Sequence, residues 1–146
     1  MVASEGTKME KGQEPDNTPV GPEILKAFHL MWDMFPTPVF LLRKDRTIVD
    51  FNQTAKDRGV RLGGKCYQLS GDDCIHKQCL GNAALAEGTG KRSVGYYAPS
   101  KRFVDSYWLP IPGEKDLFVH FAIDITKYAN PELFKTPEPV KEGTKR

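Results

Sequence analysis

The chain has 146 residues, 39% of them hydrophobic and 27% charged, with 21 basic against 19 acidic side chains for a net charge of +2. Its Pro- and Lys-rich ends leave room for one domain of roughly a hundred residues with a single modest core, and a second domain would not fit. The Lys and Arg are scattered rather than gathered with aromatics into a stripe, no apolar run is long enough to cross a bilayer, and Met1 to Gly6 lack the charged and apolar regions of a secretory signal. Neither nucleic-acid binding nor a membrane span is therefore expected, and a cytoplasmic address is the default. Three cysteines is an odd count, which speaks for reduced thiols rather than a secreted disulfide framework.

Residues 1–20 hold almost nothing to bury and are expected to be disordered, with the domain over 21–130 and a linker or tail over 131–146. Gly21-Pro22-Glu23 opens a helix, with Pro where its missing N–H is harmless and Glu against the positive end of the dipole. Ile24, Leu25, Phe28, Met31, Trp32 and Phe35 give that helix one apolar stripe, and Pro36 ends it. The β-rich runs Val39–Leu42 and Thr47–Phe51 flank the charged turn Arg43-Lys44-Asp45-Arg46 and read as a hairpin. Asn52 then caps a short helix that stops at Gly59. The Gly-rich stretch 62–73 reads as loop and single helical turns.

Cys79–Glu87 carries good helix formers and a small apolar face, ending at Gly88-Thr89-Gly90. Ser93–Tyr97 and Phe103–Leu109 are strands around the turn at Ala98–Lys101. In the last run, Leu117, Val119, Phe121, Ile123 and Ile125 alternate with Phe118, His120, Ala122 and Asp124, so a period of two gives one wholly apolar row and one mixed row. That pattern predicts a central strand. The order predicts an α+β domain with a five-stranded antiparallel sheet, helices packed on one face and an N-terminal flanking helix.

This order, together with Thr47-Ile48-Val49-Asp50-Phe51-Asn52-Gln53-Thr54-Ala55, Gly64-Lys65 and Phe121-Ala122-Ile123-Asp124-Ile125-Thr126, resembles the PAS sensor family over about residues 22–128. The resemblance implies a sensory module that passes its signal onward at Asp124 and Thr126. It also implies the partners of such modules: a second copy in a homodimer, or an effector such as a histidine kinase or response regulator. Gly64-Lys65-Cys66-Tyr67 is similar to a PAS subgroup with a Gly-Lys-x-Cys-Tyr segment and a further cysteine pair. Here the Gly-Lys runs straight into Cys66, and four residues rather than two separate Cys74 from Cys79. Leu62–Gly71 has the length and Cys position of the flavin-adduct loop of LOV photosensors, but offers Lys65, Tyr67 and Ser70 where that loop surrounds its cysteine with the Asn, Arg and Gln side chains that hold the flavin.

Several site readings stand side by side. Cys66, Cys74, His76 and Cys79 have the ligand types of a Cys3His metal site but no Cys-x-x-Cys clamp. A Cys74–Cys79 or Cys66–Cys74 disulfide would make a redox switch, and incidental thiols are the plain alternative. The resemblance adds haem, with His76 as axial ligand. A small-molecule pocket is expected between the sheet and the helix at 79–87, bounded by Cys66, His76, Tyr96, Tyr107 and Trp108, against the plainer reading of these aromatics as sheet packing. Phe28, Met31, Trp32 and Phe35 form the expected dimer or partner surface. No Ser-His-Asp order, carboxylate pair or phosphate-cradling loop stands out, so no enzyme is read.

Overall fold

The computed structural model describes residues 18–134. The expected disordered segment and tail fall outside them, apart from residues 18–20 and 131–134; Val20 packs on the core, and Pro131–Phe134 forms a 3-10 turn. Five strands, β1 (Phe40–Arg43), β2 (Ile48–Phe51), β3 (Lys91–Tyr97), β4 (Arg102–Pro110) and β5 (Leu117–Asp124), form one sheet in the order β2-β1-β5-β4-β3. Every neighbouring pair is antiparallel, and β5 is central, paired with β1 on one side and β4 on the other.

The alternation along β5 divides the core into two layers. Leu117, Val119 and Phe121 face outward with Leu41 and Val39, and helix α1 (Pro22–Trp32) covers them with Phe28, Ile24, Leu25 and Trp32. Phe118 faces the other way with Leu42, Ile48 and Trp108, beneath α3 (Gly81–Glu87). The short helix α2 (Gln53–Asp57) starts at Asn52, whose side chain accepts from the Ala55 N–H, as a capping asparagine should.

Two helix ends differ from expectation. α1 stops at Trp32 rather than running to Pro36, because Phe35 folds back so that its ring meets Phe121 at 5.2 Å. The carbonyls released by that unwinding are collected by Asn52, whose Nδ2 lies 3.0 Å from Trp32 O, 3.2 Å from Phe35 O and 2.9 Å from Thr37 O. α3 starts two residues later than expected, at Gly81, where backbone meets the sheet closely. A Cβ at Gly81 would lie 2.8 Å from Phe118 Cζ and 2.9 Å from Arg46 Nη2, so only glycine fits that approach.

α1 is also clamped to β2. The His29 ring lies 2.9 Å from Asp33 through Nδ1 and 2.9 Å from Asp50 through Nε2. The hydrogen bond to Asp33 raises the His29 pKa above its usual value, with burial opposing and Asp50 assisting. A raised pKa means that folding favours the imidazolium. The clamp's contribution is therefore complete below about pH 6.5 and is lost as pH climbs through the folded-state pKa. Because the ring is half exposed, the effect should be about 0.5–1 kcal/mol. His29→Gln should flatten the difference in urea midpoint between mildly acidic and alkaline buffer; an unchanged difference would remove the clamp from the account.

Candidate functional site

Between the inner face of β3–β5 and the segment leading from Cys66 to Cys79 lies a cavity of about 530 Å3. The sheet contributes Gly95, Ser106, Trp108, Phe118, His120 and Ala122, and the segment opposite contributes Cys66, Leu69, Ile75, His76 and Cys79. The alternating register explains the choice, since residues two apart on one strand share a face. Most of the wall is apolar, in the manner of small-molecule sites.

Two of its polar side chains, His120 and Arg46, stand out. His120 stacks on Trp108 at 5.1 Å between centroids, and its Nδ1 donates to the Tyr107 carbonyl at 2.8 Å. Burial, with Arg46 and His76 adding repulsion, pushes its pKa down to about 4, so the imidazole is neutral at physiological pH. Arg46 comes from the β1–β2 turn, with its backbone at φ 71° and its side chain 1% exposed. Its guanidinium lies over the Phe118 ring, 5.2 Å from the centroid, and donates to Asn82 Oδ1 at 3.1 Å, Cys79 Sγ at 3.3 Å and the Lys44 carbonyl.

Solved structures share this architecture. A domain of an HTR-like protein from Haloarcula marismortui is similar with a TM-score of 0.50 and 22% identity, covering 62% of this chain and 99% of that one. A sensory box sensor histidine kinase from Vibrio cholerae also has a TM-score of 0.50, at 17% identity, over 70% of this chain and 87% of that one. The fold is that of a PAS domain. The PAS domain of Bordetella pertussis BvgS is similar with a TM-score of 0.48, at 20% identity, over 76% of this chain and 91% of that one. No protein-family model matches the sequence, and no curated protein does. Among the described residues no helix is long and apolar enough to cross a membrane.

Within the PAS fold, Cys66, His76 and Trp108 of the expected pocket residues face the cavity, and Tyr96 borders it with its ring turned to Phe103 at 5.2 Å on the other face. Tyr107 does not line it. It neighbours Trp108 on β4 and so points to the opposite face, where it stacks on Phe121 at 5.0 Å and its hydroxyl donates to Asp105 at 3.0 Å. Arg46 and His120, absent from the expected set, take its place. The one sequence signal for His120 was its position on the mixed row with Phe118 and Ala122; Arg46 sat in a charged turn and gave none.

The cysteines are three free thiols, with Cys74 exposed and Cys66 and Cys79 half-buried in the cavity wall. Burial pushes the Cys66 thiol up to about 11, with Cys79 adding and Arg46 opposing, so Cys66 stays protonated and is a poor nucleophile. Cys66, Cys74, His76 and Cys79 are not brought together as a ligand set: among the described residues no three His, Cys, Asp or Glu side chains form a metal-holding group. His76 Nε2 is engaged with Asp72 Oδ2 at 2.5 Å and Ser70 Oγ at 3.1 Å. The Tyr97 hydroxyl lies 3.4 Å from the same nitrogen. Because Asp72 and Ser70 meet one nitrogen, Ser70, His76 and Asp72 cannot relay a proton as a catalytic triad does. A haem iron on Nε2 would have to displace all three partners.

On the outer face, the expected partner surface is largely used within the chain itself. Phe28 is buried, and Trp32 and Phe35 pack on Phe121, each at 5.2 Å between centroids. Met31 remains exposed, beside Leu30 and Met34. At the end of β5, Asp124 Oδ1 accepts from the Thr126 N–H at 3.0 Å and hydroxyl at 2.6 Å, while Thr126 Oγ1 accepts from the Phe103 N–H at 3.0 Å. Those hydrogen bonds from Thr126, and then Arg102, hold the Asp124 carboxyl down at about 2. The expected output residues thus form a tight cap that ties the exit of β5 to β4.

Proposed function

We propose that this chain is a sensory or regulatory PAS module that holds a small molecule between its sheet and the Cys66–Cys79 segment and passes the change out along β5. The observation that carries this reading is the cavity of about 530 Å3, large enough for a ligand of metabolite size and walled mainly by apolar side chains. β5 supports the second half of it. Its inner side chains Phe118, His120 and Ala122 line the cavity, its outer ones hold α1, and its end carries the Asp124–Thr126 cap. A ligand acts on such an element only through unequal affinity for two arrangements of it. The effector that would receive the signal is a histidine kinase or response regulator, the class to which sensory PAS domains are coupled.

Gly95 offers the test. It lines the cavity from β3, and a Cβ there would meet nothing within 4 Å. Gly95→Phe should fill the space while leaving the fold as stable or slightly more so, because glycine weakens a strand interior. Native mass spectrometry of the purified full chain should show a small molecule retained by the wild type and lost in the variant. Visible absorption of the same sample would identify haem or flavin directly. If the wild type retains no small molecule and a fragment mixture moves none of its amide chemical shifts, the module is a ligand-free docking domain instead.

A further inference from the structure

The cavity wall contains a buried cation that has no counter-ion among the described residues. The Arg46 side chain is 1% exposed, and its hydrogen-bond partners, the Lys44 carbonyl, Asn82 and Cys79, include no carboxylate. Asp45, next to it in sequence, turns its carboxylate instead to Lys65 Nζ at 2.8 Å and the Thr47 N–H at 2.9 Å. Among the described residues no ion pair includes Arg46. Buried charges are ordinarily paired, because desolvation is expensive without a partner of opposite sign. The attraction of the Phe118 ring offsets only part of that.

Two further facts point the same way. Among the described residues, the buried side-chain polar atoms left without a hydrogen-bond partner are Arg46 Nε and Trp108 Nε1. Both are donors, and both residues belong to this cavity. The lining also includes a second arginine, Arg58, and no Asp or Glu. A cavity lined by two arginines and no carboxylate, with two unpartnered donors sealed just behind its wall, is complementary to an anion, and its apolar remainder is complementary to a hydrocarbon or aromatic body.

Resting on the sensor reading above, we propose that the cavity's ligand is a small organic carboxylate, with its anionic head beside Arg46 and Trp108 and its apolar body along Phe118, Ala122 and Ile75. A carboxylate matches the Nε–Nη2 edge of the guanidinium, the one edge of Arg46 that carries no oxygen partner. Direct contact requires the Cys79 thiol to turn aside; the charge acts through a low-dielectric wall in any case. His120, neutral and tied to the Tyr107 carbonyl, adds no second charge at this depth.

The experiment is calorimetric titration of the full chain with decanoate and indole-3-acetate, each against its amide, decanamide and indole-3-acetamide. Wild type should bind the acids about tenfold or more tightly than the amides. Arg46→Lys should keep a preference and Arg46→Met should abolish it. The apolar replacement is expected to fold, since neutral substitutes for buried ions are often tolerated. If it does not fold, Trp108→Phe gives a second reading, weakening the acids several-fold and leaving the amides unmoved. Equal binding of acid and amide, blocked by Gly95→Phe, would overturn the carboxylate proposal and leave the sensor reading standing. Binding of neither class up to about 1 mM would overturn both. A thiolate absorbance in the wild type that vanishes in Arg46→Met would make Cys79 the counter-ion, and the proposal would then be wrong.

Discussion

Asn52→Ala should lower the stability of the domain by about 3–4 kcal/mol, read as a shift in urea midpoint at unchanged slope. The residue is completely buried and is the meeting point of three elements. Its Oδ1 accepts from Val39 N at 2.9 Å and Ala55 N at 3.1 Å, while Nδ2 serves the carbonyls at the frayed end of α1. Removing it leaves several backbone groups without partners away from water, each worth about 1 kcal/mol or more, and deletes an N-cap of similar value. Asn52→Asp separates the two roles. Aspartate caps a helix as well as asparagine does, so a variant of near wild-type stability would mean that capping is the residue's whole contribution. The expected result is a loss at least as large as for alanine, because aspartate cannot donate to Trp32, Phe35 and Thr37 and would bury a charge beside their carbonyls.

Phe118→Ala is expected to remove about 3–5 kcal/mol, the usual range for deleting a buried phenylalanine ring. The side chain has no exposure and stands at the centre of the inner layer, against Leu42, Ile48, Ala84 and Trp108. It is also the floor under Arg46 and the surface on which Gly81 rests. Neighbours can only partly close the space, because α3 is already at the nearest approach a glycine permits. Phe118→Leu keeps much of the volume and should lose about 1.5 kcal/mol or less. Equal losses for the two variants would show that the ring's size does not matter there, contradicting close packing of α3 on β5.

The strands were legible because their side chains obey a period of two that few other arrangements produce. β5 is the clearest instance: its alternation showed both that it is a strand and that both faces are at least partly covered. Asn52 was legible as a cap from its place after a β-rich run, but its second task, serving α1, depends on a fold-back of Phe35 that no local pattern encodes. The misplacement of Tyr107 has a simple origin. Aromatic content marks a strand as packed on both sides without saying which ring faces which layer; the register of β4 against β5 decides that.

Arg46 was illegible for a related reason. A run of Arg, Lys, Asp and Arg in a turn is normally a solvated loop; here Arg46, with a left-handed backbone, is buried while the adjacent Lys44 is exposed. Two of the cavity's distinguishing groups, Arg46 and the Trp108 N–H, owe their importance to burial and missing partners, and His120 to its place on the inner face of β5. Those are properties of the assembled domain.

The strict division of β5 between two layers also limits how it can respond. Sliding by a single residue against β1 or β4 would carry His120 to the α1 side and push Phe121 into the cavity, reversing the chemistry of both layers at once. Such a slip is closed to it. Under the sensor reading proposed above, a displacement beginning beside Phe118 would reach α1 through tilt or twist of the strand rather than through a slip in register.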